Sequence, residues 1–183
     1  MMDVFAPGER CVLVGQSVGA HTAFLVAATY PERVQRLVLL EGHAGGNSGT
    51  EEAVGLGRWF ASWPTPFASE DSARKFLGDD AIVDAWVADF EELDGGLVPR
   101  FDADVMQHAL EAVHEPRWQE WEQLEVATLA VFARNGMFTM DDQDELIRRR
   151  PETERVNLRG GSHDAHLDAL DEWIDILSAW LAK

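Results

Sequence analysis

Apolar runs at residues 11–14, 34–40 and 127–133 predict three β-strands, the first of them fully buried, and residues 155–158 predict a short fourth strand. A segment rich in small apolar residues follows the first run and predicts a buried helix to about residue 30. Strand, helix and strand within some thirty residues form a βαβ unit, so the first two strands should be parallel. The sequence therefore predicts an α/β fold with a mostly parallel sheet of about four strands, flanked by helices.

Between the second and third strands the pattern becomes helical. The expected helices cover residues 51–61, 70–77, 80–92, 102–113 and 116–123. We therefore expect residues 1–50 and 125–183 to form the sheet core and residues 51–124 to form a helical cap inserted into it. Aromatic side chains of such an insertion can line an apolar substrate pocket, or can simply pack the insertion on the sheet. The pocket candidates are Trp59, Trp63, Trp86, Met137 and Phe138.

Composition narrows the classes of partner. The formal net charge is −18, which argues against nucleic acid and against anionic membrane surfaces. No run reaches the roughly 18 apolar residues of a membrane span, and the first ten residues lack the layout of a signal peptide. The single cysteine, Cys11, excludes an intramolecular disulfide framework. We expect a cytoplasmic protein.

The chain carries a Gly-x-Ser-x-Gly motif, Gly15 to Gly19, between the first strand and its helix. Strand, Gly-x-Ser-x-Gly and helix form the pattern of a nucleophile elbow, in which a serine is raised on a sharp turn. Glycines two residues to either side remove Cβ atoms that would collide there. The alternative is an ordinary strand–helix turn in which Ser17 caps the helix. We favour the nucleophile.

A histidine stands where a general base for Ser17 would be needed. His163 follows a Gly-Gly turn at the end of the last predicted strand. Imidazole is the side chain that ordinarily changes charge near neutral pH, so a histidine at this position can take the serine proton and return it to a leaving group. An exposed loop histidine is the alternative. The presence of Ser17 favours catalysis.

These motifs resemble those of the α/β-hydrolase family, from about Arg10 to the C-terminus. The similarity rests on Val-Leu-Val-Gly-Gln-Ser-Val-Gly-Ala at 12–20, on the stretch at 30–41 and on Gly-Gly-Ser-His-Asp-Ala-His-Leu-Asp at 160–168. Residues 96–106 and 118–121 resemble the caps of bacterial members. The resemblance implies that Ser17 is the nucleophile, that the N–H of Val18 is half of the oxyanion hole and that His163 is the base.

The third member of the triad has two candidate positions. In the family the acid usually follows the strand that here ends at Ala133, where Asp141 and Asp142 come several residues late and are placed to begin the next helix. Some members carry the acid one strand earlier, and Glu41 occupies that place. Glu41 also ends an apolar strand, where an unpaired carboxylate would be costly to bury. We favour Glu41.

The elbow begins about a dozen residues from Met1, whereas in the family several strands precede it. We therefore expect a partial fold with the elbow strand at a sheet edge, as a fragment, a truncated product or a chain completed by a partner. An apolar edge strand invites pairing, so a homodimer through this edge is a further expectation. The other half of the oxyanion hole would then be lacking.

The sequence predicts a serine hydrolase that cleaves an ester, lactone or related acyl bond of a small molecule through a Ser17 acyl-enzyme. No metal, nucleotide or flavin motif is visible, so no cofactor and no metal are expected. One alternative is a catalytically impaired remnant that acts as a binding or assembly module. Another is a cofactor-free perhydrolase or carbon–carbon bond hydrolase on the same fold.

Overall fold

The computed structural model describes residues 7–46, 50–93 and 95–183. Four parallel strands form the main sheet: Cys11–Gln16 (β1), Val34–Leu40 (β2), Ala127–Phe132 (β5) and Glu154–Asn157 (β6). Their order across the sheet is β1–β2–β5–β6. This confirms the predicted α/β class and the four predicted strands, each to within two residues at either end. The strand β1 lies at one edge and pairs, in the described part of the chain, with β2 alone.

Helices cover both faces of this sheet. Those of the sheet unit are Val18–Thr29 (α1), Trp118–Glu122 (α6), Met140–Arg149 (α7), Ala165–Asp168 (α8) and Leu170–Leu181 (α9). Side chains alternate along β2: Leu37 and Leu39 pack in the same cluster as Phe24 of α1, whereas Val38 and Leu40 pack with Trp173 of α9. This alternation is the two-residue period of a strand that is buried on both faces.

A second compact unit contains residues 50–114 as far as they are described. Its elements are helices Thr50–Ala61 (α2), Glu70–Leu77 (α3), Ala81–Asp89 (α4) and Ala103–Val113 (α5), with strands Glu91–Leu93 (β3) and Gly96–Val98 (β4). Strands β3 and β4 pair antiparallel. The helix predicted over 80–92 therefore ends early. Phe90 leaves the helix in an extended conformation, and its ring stacks on Phe67 at 5.8 Å between centroids.

The boundary after the helical unit also differs from the predicted one at 124/125. Residues 115–124 belong to the sheet unit. Trp121 of α6 is fully buried, its ring meets Phe24 at 5.6 Å, and its indole N–H donates to the Leu146 carbonyl at 2.9 Å. Packing on α1 and α7 thus assigns this helix to the sheet, which a helical sequence pattern alone cannot reveal.

The edge strand β1 exposes part of its apolar surface. Val12 and Val14 are 37% and 47% exposed. Pairing of this edge with a second copy of the chain stays a prediction. None of the helices in the described ranges is long and apolar enough to cross a membrane.

Candidate active site

Ser17 stands on a strained turn between β1 and α1. Its backbone lies at φ 52° and ψ −121°, a combination that residues other than glycine rarely adopt. Such strained residues are concentrated at functional sites. The Ser17 N–H donates to the Leu40 carbonyl at 3.0 Å, and the Ser17 carbonyl accepts the first helical bond, from His21 N at 3.1 Å. The Ser17 side chain makes no capping hydrogen bond, so the alternative of a helix cap finds no support in the geometry.

The two glycines of the motif have different reasons to be there. A Cβ on Gly15 would overlap the backbone of Gly19 and Ala20. A Cβ on Gly19 would meet nothing within 4 Å beyond its own helix. The expectation that both glycines relieve a collision is therefore right at Gly15. It is wrong at Gly19, because the space that a Cβ would occupy there is open.

Glu41 follows β2 directly and has a buried carboxylate. Its side chain is 0% exposed, and its backbone takes the left-handed φ of 48°. Oε1 accepts the Ala133 N–H at 2.7 Å, and Oε2 accepts the Met137 N–H at 2.8 Å. Two backbone donors from the loop after β5 thus compensate for burying the charge.

Gly136 makes this approach possible. A Cβ at Gly136 would overlap the Glu41 carboxylate, so only glycine lets the loop wrap it. Neither Gly136 nor the two donors was identified from the sequence. The Asn-Gly-Met stretch after an apolar strand indicates a tight loop in the sequence. The sequence does not show that this loop wraps the Glu41 carboxylate.

His163 lies against the same carboxylate. Its Nδ1 is 3.3 Å from Glu41 Oε2, and its side chain is 26% exposed. The Gln16 side-chain amide donates to the His163 carbonyl at 3.0 Å, which ties the histidine loop to the residue before Ser17. With Nδ1 facing Glu41, the Nε2 atom is on the opposite side of the ring and available for proton transfer.

Two acidic side chains hold the histidine loop from the helices that follow. The Asp168 carboxylate accepts a hydrogen bond from the Ser162 backbone N–H at 3.0 Å. The Glu172 carboxylate accepts one from the Arg159 guanidinium at 2.9 Å and one from the Arg159 backbone N–H at 3.1 Å. The Arg159 hydrogen bonds lower the pKa of the Glu172 carboxyl. A bridge between Asn135 and Ser162 further joins this loop to the one after β5.

Sheet register brings the three groups to one edge. Gln16 pairs with Leu40, so Ser17 and Glu41 are the next residues on neighbouring strands. Parallel strands place such residues together beyond their carboxyl ends. Within the described ranges, Ser17 Oγ makes no hydrogen bond to His163, whereas His163 and Glu41 are in hydrogen-bond contact.

The alternative acids lie at the start of α7, and Asp142 is engaged there. Asp142 Oδ2 accepts from the N–H and the hydroxyl of Thr139, at 2.9 and 2.6 Å, and so caps α7. Asp141 lies beside it in the exposed first turn of that helix. In the described ranges neither the Asp141 nor the Asp142 carboxylate forms a hydrogen bond with His163, whereas the Glu41 carboxylate does.

Val18 is the first residue of α1, and the helix's own bonds do not use the N–H groups of its first turn. This N–H can therefore donate to a developing oxyanion, and its role as half of the oxyanion hole stays a prediction. Of the pocket candidates, Met137 is 59% exposed, and the ring of Phe138 stacks on His43 at 5.2 Å. Trp59, Trp63 and Trp86 form one aromatic cluster within the helical unit, with centroids 5.2 to 5.9 Å apart.

Two buried histidines were not identified from the sequence. His43 is 8% exposed and His21 is 6% exposed. Burial is the main cause that lowers the pKa of each ring below its usual value. For His21 the charge of Arg117 lowers the pKa further, against the opposite effects of Glu115 and Glu120. Both rings are therefore neutral at neutral pH.

A family model described as the alpha/beta hydrolase fold matches residues 6–170, most of the chain. The chain belongs to the α/β-hydrolase family. It is similar to a curated protein, the 2-hydroxy-6-oxononadienedioate/2-hydroxy-6-oxononatrienedioate hydrolase of Paraburkholderia phymatum, 55% identical over 40 residues. Its counterpart in Burkholderia vietnamiensis is 54% identical over 48 residues. These stretches span 22% and 26% of this chain, and only 14% and 16% of the relatives' length.

Solved α/β-hydrolase structures share the fold over nearly the whole chain. The E-2-(acetamidomethylene)succinate hydrolase superposes with a TM-score of 0.83 at 18% identity, over 96% of this chain and 68% of that one. An enol-lactonase from Burkholderia xenovorans gives a TM-score of 0.67 at 16% identity, over 100% of this chain and 69% of that one. At such low identity these similarities establish the fold alone.

Proposed function

We propose that this chain is a serine hydrolase that cleaves an ester, lactone or related acyl bond through an acyl-enzyme on Ser17. His163 is the general base, Glu41 is its acidic partner, and the Val18 N–H is one oxyanion donor. The hydrogen bond between His163 Nδ1 and Glu41 Oε2, at 3.3 Å, is the observation that carries the proposal. It orients the imidazole and stabilises the imidazolium that forms when the serine proton is taken.

In the first half-reaction, Ser17 Oγ attacks the carbonyl carbon as His163 Nε2 takes its proton, and negative charge develops on the carbonyl oxygen near Val18 N–H. The tetrahedral intermediate then breaks the bond to the leaving group, which receives the proton from His163. In the second half, water attacks the acyl-enzyme as it gives a proton to His163. The bond to Ser17 Oγ then breaks, His163 returns that proton to the serine, and the acid product leaves. Atoms and protons balance without a further reactant.

A carbon–carbon bond hydrolase is the second candidate. The names of the two curated relatives describe substrates that are hydroxy-oxo dicarboxylates, without an ester or amide linkage. Hydrolysis of such a compound breaks a bond between carbon atoms next to the oxo group. The same serine, base and oxyanion donor suit this reaction, since it also passes through attack on a carbonyl. The enol-lactonase among the structural neighbours supports cleavage of an acyl bond to the same degree as the two relatives support cleavage of a carbon–carbon bond.

The test of the mechanism is labelling of the purified chain with a fluorophosphonate probe, beside Ser17→Ala and His163→Ala. We expect labelling of the wild-type chain and none of Ser17→Ala, with a large loss in His163→Ala. Circular dichroism of all three proteins controls for folding. A folded wild-type chain that takes no label would contradict the proposal and favour a catalytically impaired module. Loss of one oxyanion donor alone costs roughly 10²- to 10³-fold in rate, so slow labelling still supports the proposal.

A substrate panel separates the two chemistries. p-Nitrophenyl esters and small lactones represent acyl bonds, and a 2-hydroxy-6-oxo-diene carboxylate represents the carbon–carbon bond. The group of substrates that the wild-type chain turns over and Ser17→Ala does not shows which type of bond the enzyme cleaves. The role of Trp59, Trp63, Trp86, Met137 and Phe138 as pocket residues stays part of the proposal, and alanine variants of each that change KM for one panel member over another would support it.

A further inference from the structure

His43 is a buried titratable group that the proposed mechanism does not use, although it lies two residues after Glu41. Its ring contacts three segments of the sheet unit. The Gly45 N–H donates to Nδ1 at 2.9 Å, Nε2 lies 2.9 Å from the Asp142 carbonyl, and the Phe138 ring stacks on it at 5.2 Å and 23°. The Trp118 ring meets it edge-on, also at 5.2 Å.

These contacts determine one protonation state. Since Nδ1 accepts from an N–H, it carries no proton, and Nε2–H donates to the Asp142 carbonyl. Burial lowers the pKa of His43, against the opposing effects of Asp142 and Glu145 on α7, and so favours this neutral form. A Cβ on Gly45 would come within 2.6 Å of His43 Cε1 and 2.8 Å of Nδ1, so glycine is required for the contact.

The contacts join the segment after β2 to the segment after β5. Phe138, stacked on His43, directly follows Met137, whose N–H donates to Glu41 Oε2. The Phe138 ring also meets Phe132 of β5 at 5.9 Å. Two rings therefore hold Phe138, the residue directly after the one whose N–H bonds the carboxylate. Glu41 Oε2 is also the atom that faces His163.

We propose that His43 is a positioning residue: its neutral ring holds the 137–139 segment so that the Met137 N–H stays on Glu41 Oε2 and that oxygen stays aimed at His163. The inference rests on the proposed function for its catalytic consequence. Its structural consequence, the hydrogen bond between Met137 and Glu41, is measurable in the resting protein. His43 itself touches no reacting atom.

The test compares His43→Phe, His43→Gln and His43→Asn with the wild-type chain. Phenylalanine keeps the stacking but loses both hydrogen bonds. Glutamine can place a donor near Nε2, and asparagine an acceptor near Nδ1. Thr128→Val is the matched control, because it removes a buried hydrogen bond of 2.7 Å, to the Val126 carbonyl, at the opposite end of β5.

Two readouts separate positioning from general stability. In fluorophosphonate labelling, we expect His43→Phe to lower kinact by about 10-fold or more, towards the roughly 100-fold that a 1 Å misplacement costs, with KI unchanged. Glutamine or asparagine should restore part of the loss, and Thr128→Val should leave kinact unchanged. In ¹H–¹⁵N spectra, the Met137 amide should shift and exchange faster in His43→Phe but not in Thr128→Val.

The outcomes are distinguishable from failure of the proposed function. A wild-type chain that takes no label refutes the serine hydrolase, while the Met137 amide still decides the role of His43. A folded His43→Phe whose Met137 amide and kinact match those of the wild type would overturn the inference. If His43→Phe does not fold, the same comparison is made on the glutamine and asparagine variants.

Discussion

His163 Nδ1 lies 3.3 Å from Glu41 Oε2 although 122 residues separate the two in sequence. Glu41 comes directly after β2, and His163 comes in the loop after β6, so the contact spans the loop of the intervening strand β5. That loop supplies both backbone donors to the carboxylate. The candidate site is therefore built by three successive loops at the carboxyl edge of one parallel sheet, beside the elbow.

Replacing Glu41 by glutamine should lower activity sharply. Glutamine keeps the shape but removes the charge that stabilises an imidazolium at His163, a loss that reaches about 10⁴-fold in a serine protease triad. Its NH₂ group would also oppose the N–H of Ala133 or Met137, at a cost of about 1–3 kcal/mol in folding free energy. Labelling kinetics and a urea melt measure the two effects.

The matched control for that variant is Asp142→Asn. Asp142 caps α7 and makes no contact with His163, so this change should cost at most about 1 kcal/mol and leave the rate unchanged. Unchanged kinetics of Glu41→Gln together with inactive Asp141→Asn or Asp142→Asn would move the acid to α7 and refute the assignment.

Gly136→Ala should impair the site more than the fold. The added Cβ would overlap the Glu41 carboxylate, so the loop after β5 must withdraw and its hydrogen bonds to Glu41 must lengthen. We expect a rate loss of roughly 10- to 100-fold. Gly160→Ala in the neighbouring loop is the control, since a Cβ there meets nothing within 4 Å. Equal activity of the two variants would show that Gly136 has no such constraint.

The elbow glycines should respond oppositely to alanine. At Gly15 the Cβ would strike the backbone of Gly19 and Ala20, so Gly15→Ala should lose several kcal/mol of stability or displace Ser17. At Gly19, inside α1, the space is open and alanine should stabilise the helix by up to about 1 kcal/mol. Thermal melts of both variants decide this, and a strongly destabilised Gly19→Ala would contradict it.

Stability should fall when the pH drops below the ordinary histidine range. The folded-state pKa values of His21 and His43 are lowered from 6.5, so the unfolded chain binds protons more readily than the folded one. Their contribution is fully present above 6.5 and is lost as the pH falls through the folded pKa values. Urea melts at about pH 8 and about pH 5 should show this loss.

A second window of acid sensitivity lies lower. Hydrogen bonds from Lys183 and Trp180 lower the pKa of Glu154, and those of Arg159 lower that of Glu172, both from 4.5. Their contribution is present above 4.5 and is lost on further acidification. A variant in which His43 and His21 are both replaced by glutamine should keep this lower window and lose the upper one. Equal stability of the wild-type chain at both pH values would contradict the histidine prediction.

Local sequence was sufficient for much of the sheet and for one part of the site. Apolar runs predicted β1, β2 and β5, because inner strands covered on both faces, such as β2 and β5, show little polar alternation. The short run at 155–158 predicted β6. The elbow was visible because its chemistry and its steric demand lie within five consecutive residues, Gly15 to Gly19. His163 was visible because a Gly-Gly turn marks the end of its strand.

Tertiary structure decided the rest. Sequence favoured Glu41 over Asp141 and Asp142, but only the wrapping of its carboxylate by the loop after β5 shows which side chain meets His163. No local pattern indicated the β3–β4 hairpin, the packing of α6 in the sheet unit or the hydrogen bonds of the His43 ring. Hydrophobic periodicity shows which face of an element is buried. These features depend instead on which partner covers that face. The choice of partner follows from strand order and from packing between residues far apart in the chain.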